Sequence, residues 1–454
     1  MLPSPPVTCV GIDLGTTFSC VAIFDDGDID VIPNSAGQSI TPSVVFVPAH
    51  NGSHPVDQVF VGDRARPTAA TMPGTLLYDA KRFIGKEYDG MRVVRESVGL
   101  PFDLTPVSCT RNRHAHTVHV PDLRVCPRQR WSTTRSQLEA HLTLTTGSQR
   151  LRFAPEDIGA MVVGELKRAA ELHIGREVHQ AVLAVPVGFN RKQINATREA
   201  AELAGLEVLR MIHEPTAAAM AYGLHTHADV NTVMVYDMGG GTLDVSLLNL
   251  NNGIFEVMSA AGDNRLGGQD FSLGLLQHLE AEVRRKMPQH DLGSDVEAMR
   301  VLREEAERLK VAMNDECDCG GRFYDGDEGA TVEVELPPSL SAAAPIIVTR
   351  ADYERVSAEL FDRALAPVRQ ALERIGMRAD QVDELVLVGG STRMAKVRSL
   401  LRDFFDGREP NCAVSPEEAV AHGTAIQAAI LTDRKKISVG ASEAGIFEHL
   451  DYAR

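Results

Sequence analysis

Apolar and polar positions along this chain switch between two periods. Over residues 7–47, short β-branched runs are broken by Pro33-Asn34 and Ser39-Ile40-Thr41-Pro42, which predicts strand hairpins. Beyond Pro155 the spacing lengthens. Ile158, Met161, Val162, Leu166, Ala169 and Ala170 share one side of a helix over 157–174. A buried strand follows at 181–185, stopped by Pro186, and 191–204 reads as a helix ending at Gly205. Residues 214–223 form another helix, with Pro215 in its first turn, an alanine body and Gly223 as the stop. The second half repeats the alternation with a helix at 296–313, a buried strand at 385–388, and helices at 396–405 and 416–431. Strands alternating with helices call for an α/β sheet with helices on its faces.

One segment of this pattern occurs twice. Gly11-Ile12-Asp13-Leu14-Gly15-Thr16-Thr17 recurs, altered, as Tyr236-Asp237-Met238-Gly239-Gly240-Gly241-Thr242. Each copy follows an apolar run and leads into another, so each reads as strand, Asp, glycine-bearing hairpin, strand. Glycines in such a turn let backbone N–H groups approach an anion, and the Thr hydroxyl adds a donor. The Asp is the hard oxygen ligand that a phosphate-bound Mg²⁺ takes, usually through its waters. A tight turn alone would need only the glycines. The shared Asp–Gly–Thr order points to a duplicated domain gripping one polyphosphate from both sides. A third glycine turn, Leu387-Val388-Gly389-Gly390-Ser391-Thr392-Arg393, lies between strand and helix, where a sugar or base would rest under the flat Arg393 guanidinium. A fourth, from Gly262 through Leu266-Gly267-Gly268 to Phe271, joins loop to helix. No Walker A pattern occurs in the sequence, so a P-loop enzyme is excluded.

Composition narrows the partners. The 454 residues, 44% apolar and 24% charged, suit a globular protein of several domain-sized units. A formal charge of −16 argues against nucleic acid or an anionic membrane, because no global basic field exists. Seven scattered cysteines (9, 20, 109, 126, 317, 319 and 412) favour reduced thiols, and Cys317-x-Cys319 lacks the partners of a zinc site. No apolar stretch approaches the length of a transmembrane helix, and the first residues lack the basic and apolar regions of a signal peptide, so a cytoplasmic location is expected. Between Arg111 and Arg135, six arginines face one acid, Asp122, with three histidines and Trp131; this reads as an inserted surface loop.

The motifs together resemble the DnaK-type (seventy-kilodalton) heat-shock chaperones. The matching blocks are Ile12-Asp13-Leu14-Gly15-Thr16-Thr17, Asp79-Ala80-Lys81-Arg82, Glu214-Pro215-Thr216-Ala217-Ala218-Ala219, Asp237-Met238-Gly239-Gly240-Gly241-Thr242-Leu243-Asp244, Leu266-Gly267-Gly268-Gln269-Asp270-Phe271 and Val388-Gly389-Gly390-Ser391-Thr392-Arg393. They stand in family order, and the likeness is weakest over residues 87–152. It looks like the nucleotide-binding half alone, most similar to the truncated, microsome-associated Stch-like members. The resemblance implies an actin-like ATPase fold of two duplicated lobes around a nucleotide cleft. Lobe I would span 7–228, with its core at 7–47 and 153–228 and a peripheral subdomain at 48–152. Lobe II would span 229–432, with its core at 229–266 and 346–432 and a subdomain at 267–345, leaving a tail at 433–454. ATP or ADP with Mg²⁺, and K⁺ beside it, would be bound. By this similarity Gly15, Thr16, Thr17, Gly239, Gly240, Gly241 and Thr242 hold phosphates. Asp13 and Asp237 surround the metal, with Asp244 behind them. Lys81 reaches the γ-phosphate and its attacking water, Glu214 positions metal and water, and Glu307, Lys310, Gly389, Gly390, Ser391 and Arg393 line the adenosine. Hydrolysis would then be mostly positioning and electrostatics.

Three departures qualify the likeness. Arg191 stands where the family usually has Asp, Ile194 where it has Arg, and Gln269 where it has Glu. The first two fall where such proteins relay nucleotide state, and 433–454 is too short for a peptide-binding domain. The expectation is a slow ATPase of the chaperone type without its own peptide-binding domain. The alternative is an interaction module that hydrolyses little and is read by exchange factors, J-domain proteins or ubiquitin-system proteins. A sugar kinase of the same superfamily is a weaker third reading, since no acceptor site or general base can be named. Leu2-Pro3-Ser4-Pro5-Pro6 resembles the stretch after the hydrophobic segment of Stch-like relatives, so a start further upstream would move the protein to the endoplasmic reticulum.

Overall fold

The computed structural model describes residues 8–25, 27–48, 59–87, 103–108, 138–146, 149–224, 229–251, 253–314 and 331–432. The arginine-rich segment at 111–135, Cys317-x-Cys319 and the tail at 433–454 therefore lie outside the described residues. The chain divides into two compact units. One comprises residues 1–227, 252–254 and 417–454, and the other 228–251 and 255–416.

In the first unit, strands β1 (Cys9–Asp13), β2 (Phe18–Asp25), β3 (Asp28–Val31), β4 (Gln180–Val185) and β5 (Glu207–His213) lie side by side in the order β5-β4-β1-β2-β3. β1 runs antiparallel to β2 and parallel to β4, and β4 is parallel to β5. Val10, Ile12 and every residue of 181–185 are buried, as central strands require when both sheet faces are covered. Helix Pro155–Ile174 starts where the Asp157 carboxylate accepts the Ala154 N–H at 2.8 Å, and ends at the left-handed Gly175. Helix Arg191–Leu203 starts at Asn190, whose side chain accepts the Gln193 N–H at 3.1 Å. Helix Glu214–Ala221 follows β5 directly. The last described helix, Ala419–Thr432, packs on β1, β2, β4 and helix Glu214–Ala221. Residues 417–432 were expected in the second half; in the structure they group with the first unit, because their apolar face covers its sheet.

Two smaller sheets complete this unit. Val45–Pro48 pairs with Phe60–Val61 on one side and Gly74–Leu77 on the other. Asp103–Ser108, Leu138–Thr146 and Gln149–Phe153 form the second, with Ser108 directly opposite Leu138.

The second unit repeats the plan. Strands β6 (Thr232–Met238), β7 (Leu243–Asn251), β8 (Ile254–Asp263) and β9 (Glu384–Val388) lie in the order β8-β7-β6-β9. Again the leading strand is antiparallel to the next in sequence and parallel to one arriving later. Helices Gly268–Lys286 and Val296–Ala312 pack together, and Phe271, Tyr353 and Phe361 fill the core beside them, with the two Phe rings 5.0 Å apart. β5 and β8 were not predicted from the sequence, and Gly262 and Asp263 end β8 rather than lie in a loop. Among the described residues no helix is long and apolar enough to cross a membrane.

Candidate functional site

In the first unit, β1 carries Asp13 to its last position, where the chain turns through Gly15-Thr16-Thr17 into β2. No side chain fits at Gly15, since a Cβ there would stand 1.8 Å from the Phe18 carbonyl oxygen. The Gly15 N–H donates to Ser19 Oγ at 3.2 Å, Ser43 Oγ donates to the Gly15 carbonyl at 2.9 Å, and the two hydroxyls lie 2.8 Å apart. Thr17 Oγ1 is buried and has no hydrogen-bond partner among the described residues. A buried hydroxyl left unpaired in this way fits a turn whose remaining donor is meant for an anion.

Lys81 sits in the one-turn helix Ala80–Phe83. That helix is set by Asp79, which is buried, left-handed at φ 59° and paired with Arg82 Nε at 3.1 Å. Lys81 Nζ reaches Glu214 Oε1 at 2.5 Å, and each side chain is only 11% exposed. Glu214 is the first residue of its helix, where the N–H groups of the first turn favour a carboxylate. Burial pushes the Asp13 carboxyl up to about 7, while the Lys81 ammonium pulls it down and the Glu214 carboxylate pushes it up again. Two carboxylates and one ammonium therefore share a field that is short of positive charge, and a divalent cation would supply it. Among the described residues no three His, Cys, Asp or Glu side chains converge on one point.

In the second unit, the other two glycine turns converge on the β6–β7 hairpin. The Gly239 carbonyl accepts from the Gly268 N–H at 3.0 Å and from Ser391 Oγ at 2.8 Å, and the Gly240 carbonyl accepts from the Gln269 N–H at 2.7 Å. The Gly239 N–H closes the turn onto the Thr242 carbonyl at 3.0 Å. Asp237 stands opposite Asp244 on one side and Val388 on the other. The approach is as close as backbone permits. A Cβ on Gly267 would stand 2.3 Å from the Gly241 nitrogen, and one on Gly389, at φ 80°, would stand 2.4 Å from the Met238 carbonyl oxygen. Lys310 Nζ bonds the Gly268 carbonyl at 3.2 Å and the Glu307 carboxylate at 2.8 Å, and Ser272 Oγ also holds Glu307, at 2.6 Å. Arg393 lies in the turn Gly390–Arg393, its Nη2 3.3 Å from Ser415 Oγ.

The structure thus gathers Asp13, Thr16, Thr17, Lys81 and Glu214 in one unit, and Gly239, Gly240, Gly241, Thr242, Lys310, Glu307, Gly389, Gly390 and Ser391 in the other. Sequence reasoning missed Ser19 and Ser43, and quoted Asp79 in a motif without giving it a role; all three hold the site's backbone. It also missed how Gly267 and Gly268 lie against the second hairpin. The left-handed angle of Asp79 leaves no mark in its motif, and single serines at strand starts or just before strands are too common to single out. Among the departures, Arg191 is exposed, whereas Ile194 is buried in the core of the first unit.

A strand–Asp–glycine hairpin repeated in two sheets of one plan is the arrangement of the actin-like α/β fold. A family model described as Hsp70 protein matches residues 9–120 and 132–439, and the chain belongs to that family. The break in that match falls within the arginine-rich segment. The chain is also 40% identical over 433 residues to the heat shock 70 kDa protein BIP3 of Oryza sativa subsp. japonica, which covers 94% of this chain and 58% of that relative. The chain therefore spans well under two-thirds of the length of this curated relative.

Proposed function

We propose that this chain binds ATP with Mg²⁺ and hydrolyses it slowly, as a chaperone-type nucleotide-binding domain. The observation that carries the reading is the Lys81–Glu214 pair at 2.5 Å, set in one electrostatic cluster with Asp13. In this assignment Gly15, Thr16 and Thr17 from the first hairpin, and Gly239, Gly240, Gly241 and Thr242 from the second, hold phosphate oxygens. Asp13 and Asp237 would hold Mg²⁺ through its waters, with Asp244 behind Asp237. The metal, when bound, neutralises phosphate charge. Lys81 adds positive charge where the γ-phosphate leaves, and Glu214 accepts a hydrogen bond from the attacking water and orients it. Glu307, Lys310, Gly389, Gly390, Ser391 and Arg393 receive the adenosine. Slow turnover is expected because Glu214, which would orient the water, also pairs with Lys81. Within the family, segments 219–225 and 241–249 favour the Stch-like branch.

A single-turnover assay of γ-phosphate release tests this. Wild type should release phosphate slowly and Lys81→Ala should bind ATP without releasing it; failure of wild type to bind ATP would remove the reading. A second reading is an interaction module whose nucleotide state is read by exchange factors or J-domain proteins. Ile194, an apolar core residue at the position of a usual charge, favours it. Tight ATP binding by wild type with no phosphate release would select this alternative.

A further inference from the structure

The phosphate turn of the first unit is held from behind by two serines that no part of the chemistry above requires. Ser43 is buried and makes three contacts there. Its Oγ donates to the Gly15 carbonyl at 2.9 Å, its N–H donates to the Thr17 carbonyl at 2.8 Å, and its hydroxyl meets that of Ser19 at 2.8 Å. Ser19, almost wholly buried, accepts the Gly15 N–H at 3.2 Å. Each of these bonds fixes a peptide plane, because a peptide is rigid and its N–H points opposite to its C=O. Holding the Gly15 carbonyl therefore aims the Thr16 N–H, which has no acceptor among the described residues, to the other side of the turn. Holding the Gly15 N–H fixes the Leu14 carbonyl, and holding the Thr17 carbonyl fixes the plane that follows it.

The alternative arrangement shows why this matters. A glycine-bearing turn has a low barrier to rotation of its peptide planes. Rotated by half a turn, the Gly15–Thr16 plane would present a carbonyl oxygen, instead of an N–H, to an incoming phosphate. That exchanges an attractive dipole for a repulsive one. A donor fixed before the ligand arrives has no reorganisation left to undergo.

We propose that Ser43, supported by Ser19, is a positioning residue for the first phosphate turn, which locks the Gly15–Thr16 peptide with its N–H toward the phosphates. This rests on the nucleotide-binding reading above. The side chain touches no ligand; it acts through the backbone of Gly15 and Thr17.

The test compares nucleotides with and without phosphates on the full chain. For Ser43→Ala, the dissociation constants of ADP and ATP with Mg²⁺, measured by calorimetry, should rise about tenfold, or about 1.4 kcal/mol. The affinity for adenosine, measured by competition, should stay within about twofold. Ser19→Ala should shift ADP in the same direction by about threefold, and it carries the test if Ser43→Ala does not fold. A role in folding alone would lower the melting temperature of the free protein and weaken adenosine and ADP alike, and that result overturns the proposal. So does unchanged ADP affinity in both variants while wild type binds ATP. If wild type itself binds no ATP, the functional reading fails first, and this inference with it.

Discussion

Lys81 and Glu214 are 133 residues apart in sequence and 2.5 Å apart in space, and neither is exposed enough for solvent to screen the pair fully. The ammonium's charge bears on Asp13 at the end of β1, where it opposes both burial and Glu214. Replacing Lys81 with Ala removes a donor that acts on developing phosphate charge. Single-turnover phosphate release should fall about 100- to 1,000-fold, the usual cost of one pre-organised donor. Binding of ATP should weaken much less, because the hairpin N–H groups remain. Equal losses in binding and in release, read by calorimetry and quenched-flow, would show that Lys81 contributes ground-state binding only. Arg at this position should not restore release. Its planar, longer fork cannot take up the geometry of an ammonium 2.5 Å from Glu214 Oε1.

The helices are positioned by contacts that leave no room for change. At Gly423, in helix Ala419–Thr432, a Cβ would stand 1.7 Å from the Ala217 carbonyl oxygen of helix Glu214–Ala221. Gly423→Ala should therefore cost about 1–3 kcal/mol through overpacking, visible as an earlier urea midpoint. Ala217→Gly should not rescue it, since the obstructing atom is backbone. A second element-scale test uses the capping box of helix Arg350–Val356. Thr349 Oγ1 accepts the Asp352 N–H at 3.0 Å and donates to its carboxylate at 2.7 Å. The Thr349 hydroxyl first, then Arg355, hold the Asp352 carboxyl down at about 2. A carboxyl lowered by folding adds stability that is present above its ordinary value of 3.8 and is lost as pH falls toward 2. Thr349→Ala should cost about 1 kcal/mol at pH 6.5 and less at pH 3; a gap that widens in acid would contradict the cap. Much of this architecture was legible in the sequence. The helices at 157–174, 191–204 and 296–313 have long apolar periods, and the two hairpins repeat one motif. The strands Glu207–His213 and Ile254–Asp263 were not legible, because Glu207, Arg210, Glu256 and Ser259 interrupt any clear alternation and only pairing in the sheet decides them. The same limit applies at the site. Lys81 and Glu214 could be named from their motifs. Ser43 and Asp79 act through hydrogen bonds and a backbone angle, which no local pattern records.

At the scale of the whole molecule, an acidic chain is asked to bind an anion. The formal charge is −16, so beyond the range of individual side chains the field repels nucleotide, while Lys81, Lys310 and Arg393 act only at short distance. If the proposed function holds, recognition comes from fixed N–H dipoles and a metal at contact range, not from attraction at a distance. This separates rate from affinity. As ionic strength rises from about 0.01 to 0.15 M, the Debye length shortens from about 30 to 8 Å and the repulsion is screened before the contacts are. The association rate of a fluorescent ATP analogue with Mg²⁺, followed by stopped flow, should therefore rise with salt, by up to about threefold, where a basic nucleotide-binding protein would show a fall. The arginine-rich segment at 111–135, with six arginines against one acid, is a local exception to the acidic composition. A rate that falls with salt in the full chain, and rises once those arginines are replaced by Gln, would mean that this segment supplies the attraction the rest of the chain lacks.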